Sequence, residues 1–263
     1  MTHTLASPNR PKKRFSQNFL TDRNVVRRIV EAAALPEGHC VIEIGCGRGA
    51  LTEPLLERPI TLHGIEFDRS LISDLEVKFS HHPGFTLHEG DVLSFTIRDL
   101  CPDGAHVVGN LPYHITSPIL FWMMDQAGDV RSATVMIQKE VADRVVAVPG
   151  SKEYGILSVV CQFYAACRRC FIIPAGAFFP RPKVDSAVVR MEFRPYPRQP
   201  KSVDTFRSVV RRSFGQRRKM LRNTIGSWIG APANFDLTRR PETLTVDEFI
   251  DLSDAVDPKR MNA

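Results

Sequence analysis

Apolar residues at helical spacing (Val25, Val26, Ile29, Val30, Ala33) follow a Thr21/Asp22 capping pair, which predicts a helix over 24–35. Downstream, short bounded apolar runs recur at 40–44, 61–65, 85–88, 106–108, 133–137, 170–173 and 187–193. Most are rich in Val and Ile. Helical patterns over 51–57, 69–79, 117–124, 139–146 and 154–165 separate them. Alternation of this kind predicts a mostly parallel, doubly wound sheet covered on both faces. Only a Pro-rich loop, 174–183, lies between the last two runs, so they are expected to pair antiparallel at one edge.

The pattern changes after Phe193. Residues 194–200 form a proline-broken linker, and helical periodicity then runs over 203–214, 217–229 and 246–256. The reading is an α/β domain over 1–195 and a small all-helical domain over 201–263.

Composition narrows the class. A chain of 263 residues with 43% hydrophobic and 24% charged residues is long enough to bury a core and too apolar for global disorder. No apolar run reaches the roughly 20 residues of a membrane helix. The N-terminal fifteen residues hold two prolines and no apolar core segment, so neither a secretory leader nor a transit peptide is expected. The six cysteines include one close pair, Cys167 and Cys170, without a second pair or a His-x-x-x-His at zinc spacing. They are read as reduced, buried thiols, with no metal site. The net charge of +6 is unevenly distributed: +6 over 1–28, −4 over 29–200 and +4 over 201–263. Two basic flanks around an acidic middle suit a polyanionic partner.

The first strand runs into Glu43-Ile-Gly-Cys-Gly-Arg-Gly-Ala50 and then a helix. Gly45 permits a tight turn, Gly47 close backbone approach to a ligand, and Gly49 or Ala50 close strand–helix packing. The loop fits a dinucleotide fingerprint and an S-adenosylmethionine loop equally well. Glu66 ends the second strand, where a carboxylate can accept from both ribose hydroxyls. Asp91 ends the third, suited to an adenine amino group. Together they favour a nucleoside-containing cofactor.

The fourth strand ends in Gly109-Asn-Leu-Pro-Tyr113. This is similar to the Asn-Pro-Pro-Tyr-type motif of methyltransferases that act on exocyclic base amines. Such an amine is a poor nucleophile because its lone pair is delocalised into the ring. If the Asn110 side-chain oxygen and the Leu111 carbonyl accept its two N–H bonds, the lone pair turns toward the methyl donor. Tyr113 offers a π face for an unstacked base. In Phe178-Phe-Pro-Arg-Pro-Lys-Val-Asp-Ser186, Phe178 is the expected second aromatic wall, with Arg181 and Lys183 near phosphate.

Over residues 13–255 the sequence resembles the small-subunit (16S) ribosomal RNA adenine N6-dimethyltransferases, the KsgA-type enzymes. Seven blocks in family order carry the resemblance. They are Arg14-Phe-Ser-Gln-Asn-Phe-Leu20, Glu43 through Gly49, Gly109 through Tyr113, Gln138-Lys-Glu140, Pro149-Gly-Ser-Lys-Glu-Tyr-Gly155, Phe178 through Ser186, and Arg217-Arg-Lys-Met-Leu-Arg-Asn223. The resemblance implies a Rossmann-like methyltransferase sheet with a helical C-terminal domain, and S-adenosylmethionine as methyl donor. The implied reaction is N6,N6-dimethylation of two adjacent adenosines near the 3′ end of 16S rRNA, in the immature small subunit. A cytoplasmic monomer is expected. By motif, Asn18 and Leu20 join Gly45, Glu66, Asp91 and Asn110 at the cofactor. Asn18 and His114 depart from a commoner His and Asn without removing a group the chemistry needs.

Arg207, Arg211, Arg212, Arg217, Arg218, Lys219 and Arg222 form a run without an acid, read as an RNA contact whose affinity falls steeply with salt. Three rival readings differ in one feature each. An NAD-dependent dehydrogenase would need a proton donor beside the nicotinamide. A non-catalytic assembly factor would need no intact Asn110 motif. An antibiotic-resistance methyltransferase of 23S rRNA would lack the Pro149–Gly155 and Arg217–Asn223 blocks.

Overall fold

Asp22 accepts backbone N–H bonds from Asn24 and Val25, which starts the first helix, α1 (Arg23–Ala33). Its buried stripe is Val25, Ile29, Val30 and Ala33. The computed structural model containing it describes residues 18–216, 218–229 and 235–261. A two-residue strand, β1 (Phe19–Leu20), precedes α1. Strands and helices then alternate: β2 (Cys40–Ile44), α2 (Thr52–Leu56), β3 (Thr61–Glu66), α3 (Arg69–Phe79), β4 (Phe85–Glu89), α4 (Ile97–Leu100), β5 (Ala105–Asn110), α5 (Thr116–Asp125) and β6 (Val130–Gln138). After α6 (Lys139–Val145) and α7 (Ile156–Tyr164) come β7 (Ala165–Ile173), β8 (Phe178–Phe179) and β9 (Ser186–Phe193). The C-terminal helices are α8 (Val203–Phe214), α9 (Val246–Asp254) and α10 (Pro258–Met261).

The expected sheet is present. Seven strands lie in the order β4-β3-β2-β5-β6-β9-β7, with β2 through β6 parallel to their neighbours and β9 antiparallel to β6. β7 and β9 are neighbours at one edge, as the short connection between them requires. Side-chain alternation sends Val41, Leu62 and Val108 to the face where α1, α2 and α3 bury Ile29, Leu55 and Leu75. The alternate residues Ile42, Ile65 and Val107, also buried, face the other way. Register fixes where loops emerge: Ile44 lies opposite both Ile65 and Gly109, and Glu66 opposite Glu89. The carboxyl ends of β2, β3, β4 and β5 therefore open along one edge. No helix of the described residues is long and apolar enough to cross a membrane.

The chain divides into two compact units, 1–139 with 168–192, and 140–167 with 193–263. The second unit takes in α7 as well as the C-terminal helices. There Phe206 of α8 meets Phe163, and the fully buried Tyr154 meets Phe214. Thr245 and Glu248 form a reciprocal cap at the start of α9.

Two expectations need correction. A helix over 217–229 is not formed: the described residues give two 3-10 turns, Leu221–Asn223 and Gly226–Trp228. Met220 is extended (φ −69°, ψ 155°), and the amides of Leu221 and Arg222 donate to the carbonyls of Arg239 and Leu237 instead of to the preceding turn. Of the described cations of the run, Arg207, Arg211 and Arg212 thus lie on α8, and Arg218, Lys219 and Arg222 lie beyond it. Second, the cysteines are not all thiols, because Cys40 and Cys101 are joined in a disulfide. Cys40 opens β2, and Cys101 follows α4 just before β5, which pairs with β2. Their Cα atoms come within 5.9 Å across a separation of 61 residues. No local spacing could announce that contact.

Candidate active site

The loop after β2 turns back through three glycines with positive φ. At Gly45 (φ 73°) a Cβ would stand 3.6 Å from the Asn110 carbonyl oxygen, and only glycine takes this turn without strain. At Gly49 (φ 80°) a Cβ would lie 2.5 Å from the Phe79 ring, so glycine here is what lets α3 close against the loop. The tight turn expected at Gly45 and the close packing expected at Gly49 are both present.

A cavity of about 340 Å³ opens above this loop, inside the first unit. Its lining brings together Asn18, Gly45, Glu66, Asp91, Asn110, Leu111 and Tyr113, seven of the residues selected from sequence. Glu66 is nearly buried. Its Oε2 accepts from the Gly47 amide (2.8 Å), and its Oε1 accepts from the amides of Phe67 (3.0 Å) and Asp68 (2.8 Å). Burial raises its pKa, and these three N–H bonds oppose the rise. Asp91 is exposed and accepts from the Leu93 amide through Oδ1 (3.0 Å). At the other side of the cavity, Asn110 Nδ2 donates to the Asn18 carbonyl (3.1 Å). The Tyr113 hydroxyl shares a 2.7 Å hydrogen bond with Ser186 Oγ, which anchors the ring through the start of β9.

Two selected residues stand elsewhere. Phe178 is 4% exposed and Leu20 is 7% exposed, both within the apolar core, and they face each other in the β1–β8 pair. Neither lines the cavity. Alternation in these two-residue strands turns Leu20 and Phe178 inward, and leaves Phe19 at the cavity and Phe179 62% exposed. The expected aromatic wall at Phe178 is therefore not an open surface here.

Sequence reasoning missed Phe19, Phe67 and His114 as lining residues. Phe19 sits beside Gly47, with the Arg48 guanidinium 4.4 Å from its ring centre. Phe67 had a readable signal: a large apolar residue directly after a strand-end carboxylate, and 59% exposed.

Beneath the loop lies Glu43, 1% exposed, accepting a 2.7 Å hydrogen bond from Thr52 Oγ1. Burial pushes its pKa up to about 7. The folded state therefore holds this proton more tightly than the unfolded chain. The group costs nothing below its unfolded value of 4.5, and stability falls as pH rises from there through about 7. The full loss is about 3 kcal/mol. Glu43→Gln keeps an acceptor for Thr52 and should flatten this slope. Denaturant melts should show it within about 1 kcal/mol of the parent at pH 5 and more stable, by up to about 3 kcal/mol, at pH 8.

In the second unit, Arg211, Arg212, Arg218, Lys219 and Arg222 are exposed. Two cations of the run have internal partners. Arg212 donates to the Thr224 carbonyl (2.8 Å) and lies 4.5 Å from the Trp228 ring centre, and Arg207 stands 5.1 Å from the Tyr164 ring centre. Arg217 and the basic segment 1–17 lie outside the described residues.

Comparison with known proteins gives the family and the fold. The family described as ribosomal RNA adenine dimethylase matches residues 8–240. Two relatives named ribosomal RNA small subunit methyltransferase A, from Aromatoleum aromaticum and Chromohalobacter salexigens, are 44% and 41% identical. They cover 98% and 97% of this chain, and 98% and 96% of their own lengths are covered. Among solved structures, a dimethyladenosine transferase from Plasmodium falciparum shares the fold. Its TM-score is 0.75 at 23% identity, over 89% of this chain and 95% of that one. The 23S rRNA methyltransferase ErmE matches with a TM-score of 0.68 at 26% identity, over 91% and 100%.

Proposed function

Because the chain belongs to the ribosomal RNA adenine dimethylase family, we propose that it N6,N6-dimethylates two adjacent adenosines in a loop near the 3′ end of small-subunit rRNA. The methyl donor is S-adenosylmethionine. The cavity suits that group. Its volume falls at the small end of ligand sites, the turn at Gly45 leaves room beside Asn110 that side chains would restrict, and carboxylates stand at consecutive strand ends. When bound, the cofactor supplies a methyl already activated on a sulfonium.

The chain's own residues supply recognition and alignment. Glu66 accepts from a ribose hydroxyl and Asp91 from the adenine amino group. The observation that carries the reading is the tether of Asn110. With Nδ2 engaged by the Asn18 carbonyl, Oδ1 is the end left to accept an N–H of the target amine. The Leu111 carbonyl takes the other N–H. Held at both hydrogens, the nitrogen loses conjugation with its ring and aims its lone pair at the methyl. Tyr113, locked by Ser186, stacks on the flipped base, and transfer of the methyl releases one proton to solvent. After one transfer a single N–H remains, so one of the two acceptors holds the amine for the second.

Domain roles follow the charge. Arg211, Arg212, Arg218, Lys219 and Arg222 are exposed and position the enzyme on rRNA phosphates, joined by Arg217 and the N-terminal cations; Arg207, beside Tyr164, supports the unit that presents them. The enzyme acts as a cytoplasmic monomer on the immature small subunit. Relatives at 40–44% identity carry small-subunit names, which favours this branch over the 23S enzymes.

The test incubates the protein and labelled S-adenosylmethionine with undermethylated small subunits and maps the products by mass spectrometry. Two adjacent dimethyladenosines near the 3′ end are expected. Label only in large-subunit rRNA would overturn the reading.

A further inference from the structure

One face of the same sheet carries a second constellation of chemically competent side chains. Among the described residues, Cys40, His63 and Cys101 are the group of three whose candidate ligand atoms, two sulfurs and one ring nitrogen, all lie within 4.8 Å of one another. Strand register explains the encounter. Cys40 and Ile42 lie on one face of β2, Ile42 pairs with His63 on β3, and β3 pairs with β4 so that His88 falls on that face too. The short helix α4 returns Cys101 to Cys40. Cys40 is the first residue of β2, whereas the cofactor loop follows its last. About 15 Å of strand separates Cys40 from that loop, and His63 stands three residues before Glu66 on β3.

We propose that, once the Cys40–Cys101 disulfide is reduced, Cys40, Cys101 and His63 form a site for a single Zn²⁺ ion. Two thiolates and an imidazole are a soft-to-borderline donor set, which suits zinc and disfavours magnesium or calcium. His88 is the positioning residue. Its Nε2 is 2.9 Å from His63 Nδ1 and the rings stack at 5.2 Å, so the His63 ring is held in place by a partner, as metal-bound imidazoles commonly are. Three protein ligands leave a fourth position for water.

The chemistry balances with a thiol reductant. Two reductant thiols give up two electrons and two protons, become a disulfide, and leave Cys40 and Cys101 as two thiols. Zn²⁺ then displaces both thiol protons to solvent. The oxidised and metal-bound forms exclude each other, because each uses the same two sulfurs.

The probe is Co²⁺, which reports tetrahedral thiolate ligation by its absorption, followed by competition with Zn²⁺. Reduced full-length protein should bind about one equivalent and show the thiolate spectrum, and Zn²⁺ should erase it. Protein with the Cys40–Cys101 disulfide intact still holds Cys46, Cys161, Cys167 and Cys170 as free thiols. It should show no such spectrum, and this comparison requires no variant to fold. Cys40→Ser and His63→Ala should each weaken Zn²⁺ binding at least about tenfold, and a Cys167→Ser/Cys170→Ser double variant should leave it unchanged. No Co²⁺–thiolate absorption in the reduced protein, or equal absorption in the oxidised protein, would overturn the proposal. So would loss of binding only in the Cys167/Cys170 variant.

Discussion

Asn110→Ala is expected to lower kcat for methyl transfer about 10³-fold while the protein stays folded and S-adenosylmethionine binding weakens by no more than about tenfold. The split follows from what Asn110 touches. Its Oδ1 serves the transferring nitrogen, and alanine leaves that N–H unpaired as the lone pair must form. Removing one such pre-oriented group costs about 3–4 kcal/mol in comparable sites. The substitution also frees the Asn18 carbonyl, which loses its 3.1 Å donor at the cavity wall. That second loss falls on cofactor affinity and accounts for the smaller effect. Asn110→Asp separates the two: it keeps an acceptor for the amine but replaces the Nδ2 donor by an oxygen that faces a carbonyl. Single-turnover rates should rank parent, then Asp, then Ala, with both methylation steps slowed. Equal rates for the parent and Asn110→Ala would remove Asn110 from the chemistry.

The features legible in the sequence were those carried by local pattern. Val/Ile runs spaced by helical stretches give the parallel sheet, because each strand buried on both faces must be apolar along its length. Strand-end positions then follow by counting, which is why Gly45, Glu66, Asp91 and Asn110 could be named and are found around one cavity. What failed was decided by contacts distant in sequence. Leu20 and Phe178 pair across more than half the chain, and a two-residue strand has too few positions for its alternation to be read. The Cys40–Cys101 bridge rests on β2 lying beside β5, which only the sheet order reveals. The helix expected after Phe214 was lost to the 237–239 segment, whose carbonyls take the amides of Leu221 and Arg222. Charge partition did point to one property of the second unit, since the exposed cations of the run are in the predicted segment. It could not tell that the guanidinium of Arg212, itself exposed, is engaged by Thr224 and Trp228.

Glu66→Ala is expected to weaken S-adenosylmethionine binding by at least about 10²-fold, with little effect on RNA affinity. In this structure one carboxylate accepts three backbone N–H bonds, from Gly47, Phe67 and Asp68. A carboxylate has about four acceptor positions, so the group that shapes the glycine loop retains one position for a ribose hydroxyl. Alanine removes both functions together: the loop amides lose their acceptor and the ribose loses its own. One charge-assisted hydrogen bond at about 1.5–3 kcal/mol, with the added cost of a disordered loop, gives the 10²-fold figure. Glu66→Gln discriminates between them. Whichever way the amide turns, its NH₂ faces either the Gly47 amide or those of Phe67 and Asp68, so two donors oppose each other while the volume is unchanged. Calorimetric titration should therefore place Gln close to Ala. Asp91→Asn, whose carboxylate is exposed and holds one local N–H bond, should cost only about tenfold. Hydrogen exchange of the Gly47 amide in the cofactor-free protein gives the second axis. If Glu66 organises the loop as well as binding ribose, exchange there accelerates in both Glu66 variants before any ligand is added. If affinity falls with that exchange unchanged, the carboxylate binds and does not build.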